Sequence, residues 1–288
     1  MPVRLLLPLA FFAAAHAAAA AAEPNAVERG RYLAVAASCE TCHTVEGGQP
    51  FAGGLALETP FGTFYTPNIT PDRETGIGGW SEAQFLRALH MGVRPDGADY
   101  YPAFPYTSFT KLTDEDAQAI WAYLSSIPAV RQANRPHALS FPYSWRFLLN
   151  GWKWLFFDPG RFQPMPGRSA EENRGAYLVS AVVHCGECHT PRNSFGAMED
   201  DRFLAGNPAG PDGKSVPNIT PDPKTGIGNW SEDDIVQVLT DGHTPAFDEV
   251  TGSMAEVVRN TAKLTPEDRR SIAVYLKTVP PLPGPRPK

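Results

Sequence analysis

The sequence predicts an all-α protein built from two tandem domains joined by an aromatic, basic linker. Three observations predict it: an internal duplication, apolar residues recurring at helical spacing, and a central segment opposite in charge to its flanks. The duplication is clearest in Pro67-Asn68-Ile69-Thr70-Pro71-Asp72, Thr75-Gly76-Ile77-Gly78 and Trp80-Ser81-Glu82. The same residues return 150 positions later, from Pro217 to Glu232. Gly30 and Tyr32-Leu33 match Gly175 and Tyr177-Leu178, and Leu112-Thr113 with Tyr123-Leu124 match Leu264-Thr265 with Tyr275-Leu276. Repeats of about 100 residues fit two small domains better than one large core. The boundaries are 23–128 and 171–280, with a linker over 129–170 and a Pro-rich, disordered tail over 281–288.

Each helix has its own signal. Thr113 and Thr265 stand as N-caps with Asp116 and Asp268 three positions on, and Pro266 takes the first helical position. Ile120, Trp121, Tyr123 and Leu124 then recur at helical spacing, as do Ile272, Ala273, Tyr275 and Leu276. Ser81 and Ser231 open shorter helices, with Gln84 and Asp234 completing capping boxes. Few segments alternate as strands do, and the 29 Pro and 25 Gly punctuate loops.

All four cysteines lie in two copies of one motif, Cys39-Glu40-Thr41-Cys42-His43 and Cys185-Gly186-Glu187-Cys188-His189. C-x-x-C-H is the attachment site of a c-type haem. Two thiols three positions apart on one helical turn can add to the two vinyl groups of a porphyrin edge, and the adjacent imidazole becomes the proximal iron ligand. Coincidence, a thioredoxin-like pair and half a zinc site are the plainer readings. Only seven of 288 residues are His, so a His after both pairs by chance is roughly a one-in-1,700 event. A zinc site needs further ligand pairs, and no other Cys exists. The expected cofactors are therefore two covalently attached haem c groups, on Cys39, Cys42 and His43 and on Cys185, Cys188 and His189.

Arg4, the apolar run from Leu5 to Ala15 and Ala20-Ala21-Ala22 read as a signal peptide over residues 1–22. The run is too short and Ala-rich to span a bilayer well. The expected location is the periplasm. The linker carries six basic residues against Asp158 alone, a net of +5. Residues 23–128 and 171–280 are each net −7. The linker is also rich in aromatics from Phe141 to Phe162. Basic plus aromatic fits nucleic acid in isolation, but the leader and the acidic flanks argue against it, so no nucleic-acid partner is expected. Two readings stay open: a strap that packs across both domains and neutralises them, or a membrane-surface or partner contact through residues 141–157.

With these residues in place, each repeat resembles a class I cytochrome c domain. That resemblance implies an N-terminal helix crossing a C-terminal one at Gly30 and Gly175, with Tyr123 and Tyr275 packing across. It also implies that the carbonyls of Pro67 and Pro217 orient the proximal histidines. The paired PNITPD and TGIG motifs resemble, more narrowly, cytochrome c subunits of periplasmic alcohol, gluconate and sorbitol dehydrogenases. Those subunits commonly carry three haems, and this chain has two motifs. In that family the sixth iron ligand is a Met ahead of the last helix. Met254 occupies this place in repeat two, either as ligand or as core. In repeat one Phe104 stands where the Met is expected, in Pro102-Ala103-Phe104-Pro105-Tyr106, and Met91 and His90 are the nearby alternatives. Trp80 and Trp230 either donate to a haem propionate or pack in the core.

The resemblance implies a periplasmic dihaem cytochrome relaying single electrons from a dehydrogenase subunit to a respiratory-chain acceptor. The alternative is a dihaem peroxidase-like oxidoreductase using an open iron in repeat one.

Overall fold

The computed structural model describes residues 24–285. The predicted signal peptide lies outside the described residues. The described residues open with α1 (Pro24–Ala36) and α2 (Cys39–Cys42). A hairpin of β1 (Ala56–Thr59) and β2 (Gly62–Tyr65) follows, then α3 (Glu82–Met91), α4 (Tyr106–Phe109) and α5 (Asp114–Ser126). The central segment supplies β3 (Ala138–Leu139) and α6 (Leu148–Phe156). Repeat two holds α7 (Ala170–Tyr177), α8 (Gly186–His189), α9 (Glu232–Asp241), α10 (Ser253–Thr261) and α11 (Pro266–Thr278).

The expected caps form. Ser81 and Ser231 make capping boxes with Gln84 and Asp234. The hydroxyls of Thr113 and Thr265 accept from the Asp116 and Asp268 amides. The first and last helices of each repeat cross at glycine. A Cβ on Gly30 would lie 1.8 Å from the Ala119 carbonyl oxygen, and one on Gly175 would lie 1.9 Å from that of Ser271. Tyr123 and Tyr275 stand at these crossings, their Cβ atoms 2.8 and 2.7 Å from the same points.

Repeat two has one residue more than repeat one between this glycine and its first motif cysteine. A π-helical turn over Leu178–Val182 absorbs it, as an inserted residue in a helix requires.

The protein is mostly helical but not all-α. Strands β1, β2 and β3 form a small antiparallel sheet in that order. Gly62 turns the hairpin at φ 117°, and Thr63, Phe64 and Tyr65 favour an extended backbone. Four-residue strands are too short for alternation to show in sequence.

The repeats do not have separate cores. Leu33, Phe109 and Leu112 of the first belong to one continuous apolar cluster with Leu178, Val182 and Leu276 of the second. A repeat in sequence marks its own elements but not the face on which two copies meet.

The Pro-Asn-Ile-Thr loops are each clasped by chain following the last helix of their repeat. Asn68 Nδ2 donates to the Val130 carbonyl at 2.7 Å, and Asn218 Nδ2 donates to that of Leu282 at 2.7 Å. Gly284 N also donates to Thr225 Oγ1 at 2.8 Å. The stretch that composition reads as a disordered tail is therefore tied down as far as Gly284, because it repeats the clasp made by residues 130–134.

The linker cations each have a partner in the repeats. Lys153 bonds Asp99 at 2.6 Å, Arg161 bonds Asp114 at 2.7 Å, and Arg131 pairs with Glu74. Arg168 bonds Glu172 at 2.8 Å. Arg146 and Arg135 lie over the rings of Tyr101 and Tyr65.

Candidate functional site

Each C-x-x-C-H motif forms a single helical turn. His43 N donates to the Cys39 carbonyl, and His189 N to that of Cys185, both at 3.0 Å. This bonding puts the two thiols of each motif on one side of the turn, with the imidazole next in line. His43 Nδ1 donates to the Pro67 carbonyl at 2.7 Å, and His189 Nδ1 donates to that of Pro217 at 2.8 Å. A carbonyl can only accept, so Nδ1 carries the proton and Nε2 keeps its lone pair. Burial lowers both imidazole pKa values, outweighing the proline carbonyls, and keeps the rings neutral. Burial also pushes the Cys39 and Cys185 thiols up to about 12.

The clamp needs glycine. Gly53 N donates to the His43 carbonyl and Gly206 N to that of His189, each at 2.7 Å. Both glycines have positive φ, and a Cβ on Gly53 would lie 2.4 Å from the Pro67 carbonyl carbon. Only a residue without a side chain lets this strand pass between histidine and proline.

These donors fit haem c. The four cysteines are unpaired, and each imidazole has one fixed ring nitrogen and one open lone pair. Among the described residues no three His, Cys, Asp or Glu side chains converge as a zinc site needs.

The two motifs adjoin across a near-symmetric interface that sequence reasoning missed. Asn260 Nδ2, in α10, donates to Ser38 Oγ and Thr41 Oγ1 at 3.0 Å each. In return, Ser108 Oγ and Thr107 Oγ1, around α4, donate to Glu187 at 2.6 and 3.0 Å. Arg192 binds the other Glu187 oxygen at 2.6 Å. Burial works to raise the Glu187 pKa, but Arg192 and Ser108 outweigh it and hold it below the usual carboxylate range. Both motifs are entered through a non-glycine residue at positive φ, Ser38 at 55° and His184 at 47°. Each is held by the opposite repeat, Ser38 by Asn260 and His184 by donating from Nε2 to the Ala37 carbonyl at 3.2 Å. Burial, Glu187 and Cys42 together push the Cys188 thiol up to about 11 against the pull of Arg192.

A second reciprocal pair locks the helices. Tyr32 OH donates to Asp268 at 2.7 Å, and Tyr177 OH donates to Asp116 at 2.5 Å. Arg174 and Arg29 complete the two clusters from the same repeat as each aspartate. The matched pairs Tyr32/Tyr177 and Asp116/Asp268 were the available signal.

The remaining predicted residues divide. Met254 sits half-buried in the first turn of α10. Met91 ends α3, is 39% exposed, and gives its carbonyl to Lys153. His90 is buried with Nε2 unpartnered, and its Nδ1 lies 3.6 Å from Asp114. Burial and Arg161 lower it to about 4. Phe104 packs against Tyr100, Tyr106 and Phe109, at centroid distances of 5.2 to 6.4 Å. Trp80 and Trp230 are half-buried at equivalent places, packed against the shared core.

A helical shell around two C-x-x-C-H turns, each with a proline-anchored histidine, defines a c-type cytochrome. The cytochrome c family profile matches residues 27–128. A protein named diheme cytochrome c-type, from Cereibacter sphaeroides, is 45% identical over 259 residues, covering 88% of this chain and 85% of that protein. The chain therefore belongs to the cytochrome c family. The gluconate 2-dehydrogenase cytochrome c subunit of Pantoea cypripedii is 43% identical over 265 residues, and a nicotinate dehydrogenase subunit of Pseudomonas putida is 46% identical over 254. Each of these two matches covers 88% of this chain, which spans 59% of the Pantoea protein and 21% of the Pseudomonas one.

Proposed function

We propose that this chain is a periplasmic dihaem cytochrome c, two tandem class I cytochrome c domains, that relays single electrons from a dehydrogenase to a respiratory-chain acceptor. The observation that carries the reading is the pair of C-x-x-C-H turns, each held by the opposite repeat, with Asn260 bonded to Ser38 and Thr41 and with Thr107 and Ser108 bonded to Glu187. Bound haem supplies a reversible one-electron change at iron. The chain's own residues fix the geometry. Pro67 and Pro217 hold the proximal imidazoles, and the shared core excludes water. The joined attachment edges would keep the path between irons short. Met254, in the first turn of α10, would hold the second iron together with His189. For the first iron Met91 is the candidate ligand beside His43, and its exposure favours His43 holding that iron alone. Trp80 and Trp230 would border the propionates of bound haem, and residues 141–157 would face the membrane surface.

The dehydrogenase donor is supported by relatives named as cytochrome subunits of gluconate, alcohol and fructose dehydrogenases. The test is to purify the tagged chain from its host with its catalytic subunit and add alcohols and sugar acids without oxygen. Reduction of both haems by one such substrate is expected. The second reading, a peroxidase, rests on Phe104 standing at the ligand position. Tyr100 and Tyr106 pack on the Phe104 ring, and Tyr101 is engaged elsewhere, donating to the Tyr143 carbonyl at 3.0 Å. Peroxide turnover with no substrate-driven haem reduction would replace the relay by the enzyme.

A further inference from the structure

Helix α6 buries Leu149 and packs Trp152 against Tyr106, yet its outward face is apolar as well. Phe147 at its N-cap, Leu148, Gly151, Trp154 and Leu155 fall at i, i+1, i+4, i+7 and i+8, one face of a helix, and all are exposed. The polar end of Lys153 points inward, bonded to Asp99 and to the Met91 carbonyl at 2.6 Å each. The turn before the helix continues the apolar face, where Phe141 and Phe147 flank Trp145 with ring centroids 5.0 and 5.7 Å from it.

Exposure and charge decide what fits this face. Trp154 is 84% exposed and Phe141 71%, so the side chains project rather than line a groove. Projecting knobs suit a fluid partner, since protein partners would need matching pockets. Trp beside Leu and Phe is the composition of the membrane–water interface. All six linker cations are paired or stacked within the protein, and both flanking repeats are net −7. An anionic surface therefore gains nothing here. Among the described residues no helix is long and apolar enough to cross a membrane, so the contact is peripheral.

We propose that the outward face of α6 and the turn before it dock on the interfacial zone of a zwitterionic phospholipid bilayer. This deepens the periplasmic reading by naming the surface and its chemistry, and it does not depend on haem count or electron relay.

The experiment is co-sedimentation of the full-length holoprotein with phosphatidylcholine vesicles, and with vesicles that also contain phosphatidylglycerol. Binding to phosphatidylcholine alone is expected. It should be unchanged between about 0.05 and about 0.5 M sodium chloride, a range over which exposed charges become largely screened. Trp154→Ser with Leu155→Ser should weaken partition by about tenfold or more, as loss of this much apolar contact predicts. Both positions are exposed, so haem absorption and circular dichroism should match wild type, and Trp154→Ser alone gives a smaller loss if the pair unfolds. Binding only to phosphatidylglycerol vesicles, or binding abolished by salt, overturns the proposal. So does equal binding by the variant. A wild-type dimer that the variant converts to monomer, with no vesicle binding by either, assigns the face to a second copy instead.

Discussion

Pro67 and Pro217 contribute through their carbonyl oxygens alone, each fixing which nitrogen of a histidine is free. The Cys and His residues were legible because their chemistry needs a fixed local spacing. Glu187 and Asn260 were not. Asn260 reaches Ser38 and Thr41 from 222 and 219 residues away, and nothing local marks a partner at that distance. Glu187 fills a variable position of the motif, so its buried hydrogen bonds leave no trace in the pattern. The axial assignment gives a residue-scale prediction. Met254→Ala should convert one ferric haem from low-spin to high-spin and lower its potential, while Met91→Ala leaves both spectra unchanged. Electron paramagnetic resonance of the two variants checks this. A spectral change with Met91→Ala assigns that thioether to the first iron.

At the scale of elements, the helices and their caps were readable because each cap is local, Ser81 with Gln84 or Thr265 with Asp268. The hairpin was not, because four residues carry too little alternation. The aspartates three residues past each Thr cap use their carboxylates elsewhere. Asp268 accepts from Tyr32 across the interface and from Arg174 within its own repeat. Burial acts to raise its pKa, but the bonds from Arg174 and Tyr32 prevail and hold it below the usual carboxylate range. A carboxylate with depressed folded pKa adds stability above its unfolded value of about 3.9 and loses it as pH falls through the folded pKa. Asp268→Asn should therefore cost about 1.5–3 kcal/mol at neutral pH, the scale of a charged hydrogen bond, and almost nothing in acid. Denaturant melts at neutral and acid pH measure it. A penalty independent of pH would show that packing, not charge, is lost.

At the scale of the molecule, the duplication announced two copies but not their union. One core runs through both repeats, and the chain after each last helix clasps its own Pro-Asn-Ile-Thr loop. That clasp had a faint signal, since Ile127-Pro128 and Val279-Pro280 occupy matching positions. Arg131, Lys153, Arg161 and Arg168 of the linker pair with acids of the repeats it joins, while the aromatic face of α6 is exposed. The central claim is that two haems share this core and carry one electron each. It is tested most directly by anaerobic reductive titration of the oxidised full-length protein with a calibrated one-electron donor, following c-type haem absorption. Two electrons taken up per chain is the predicted result, and one electron per chain would contradict it.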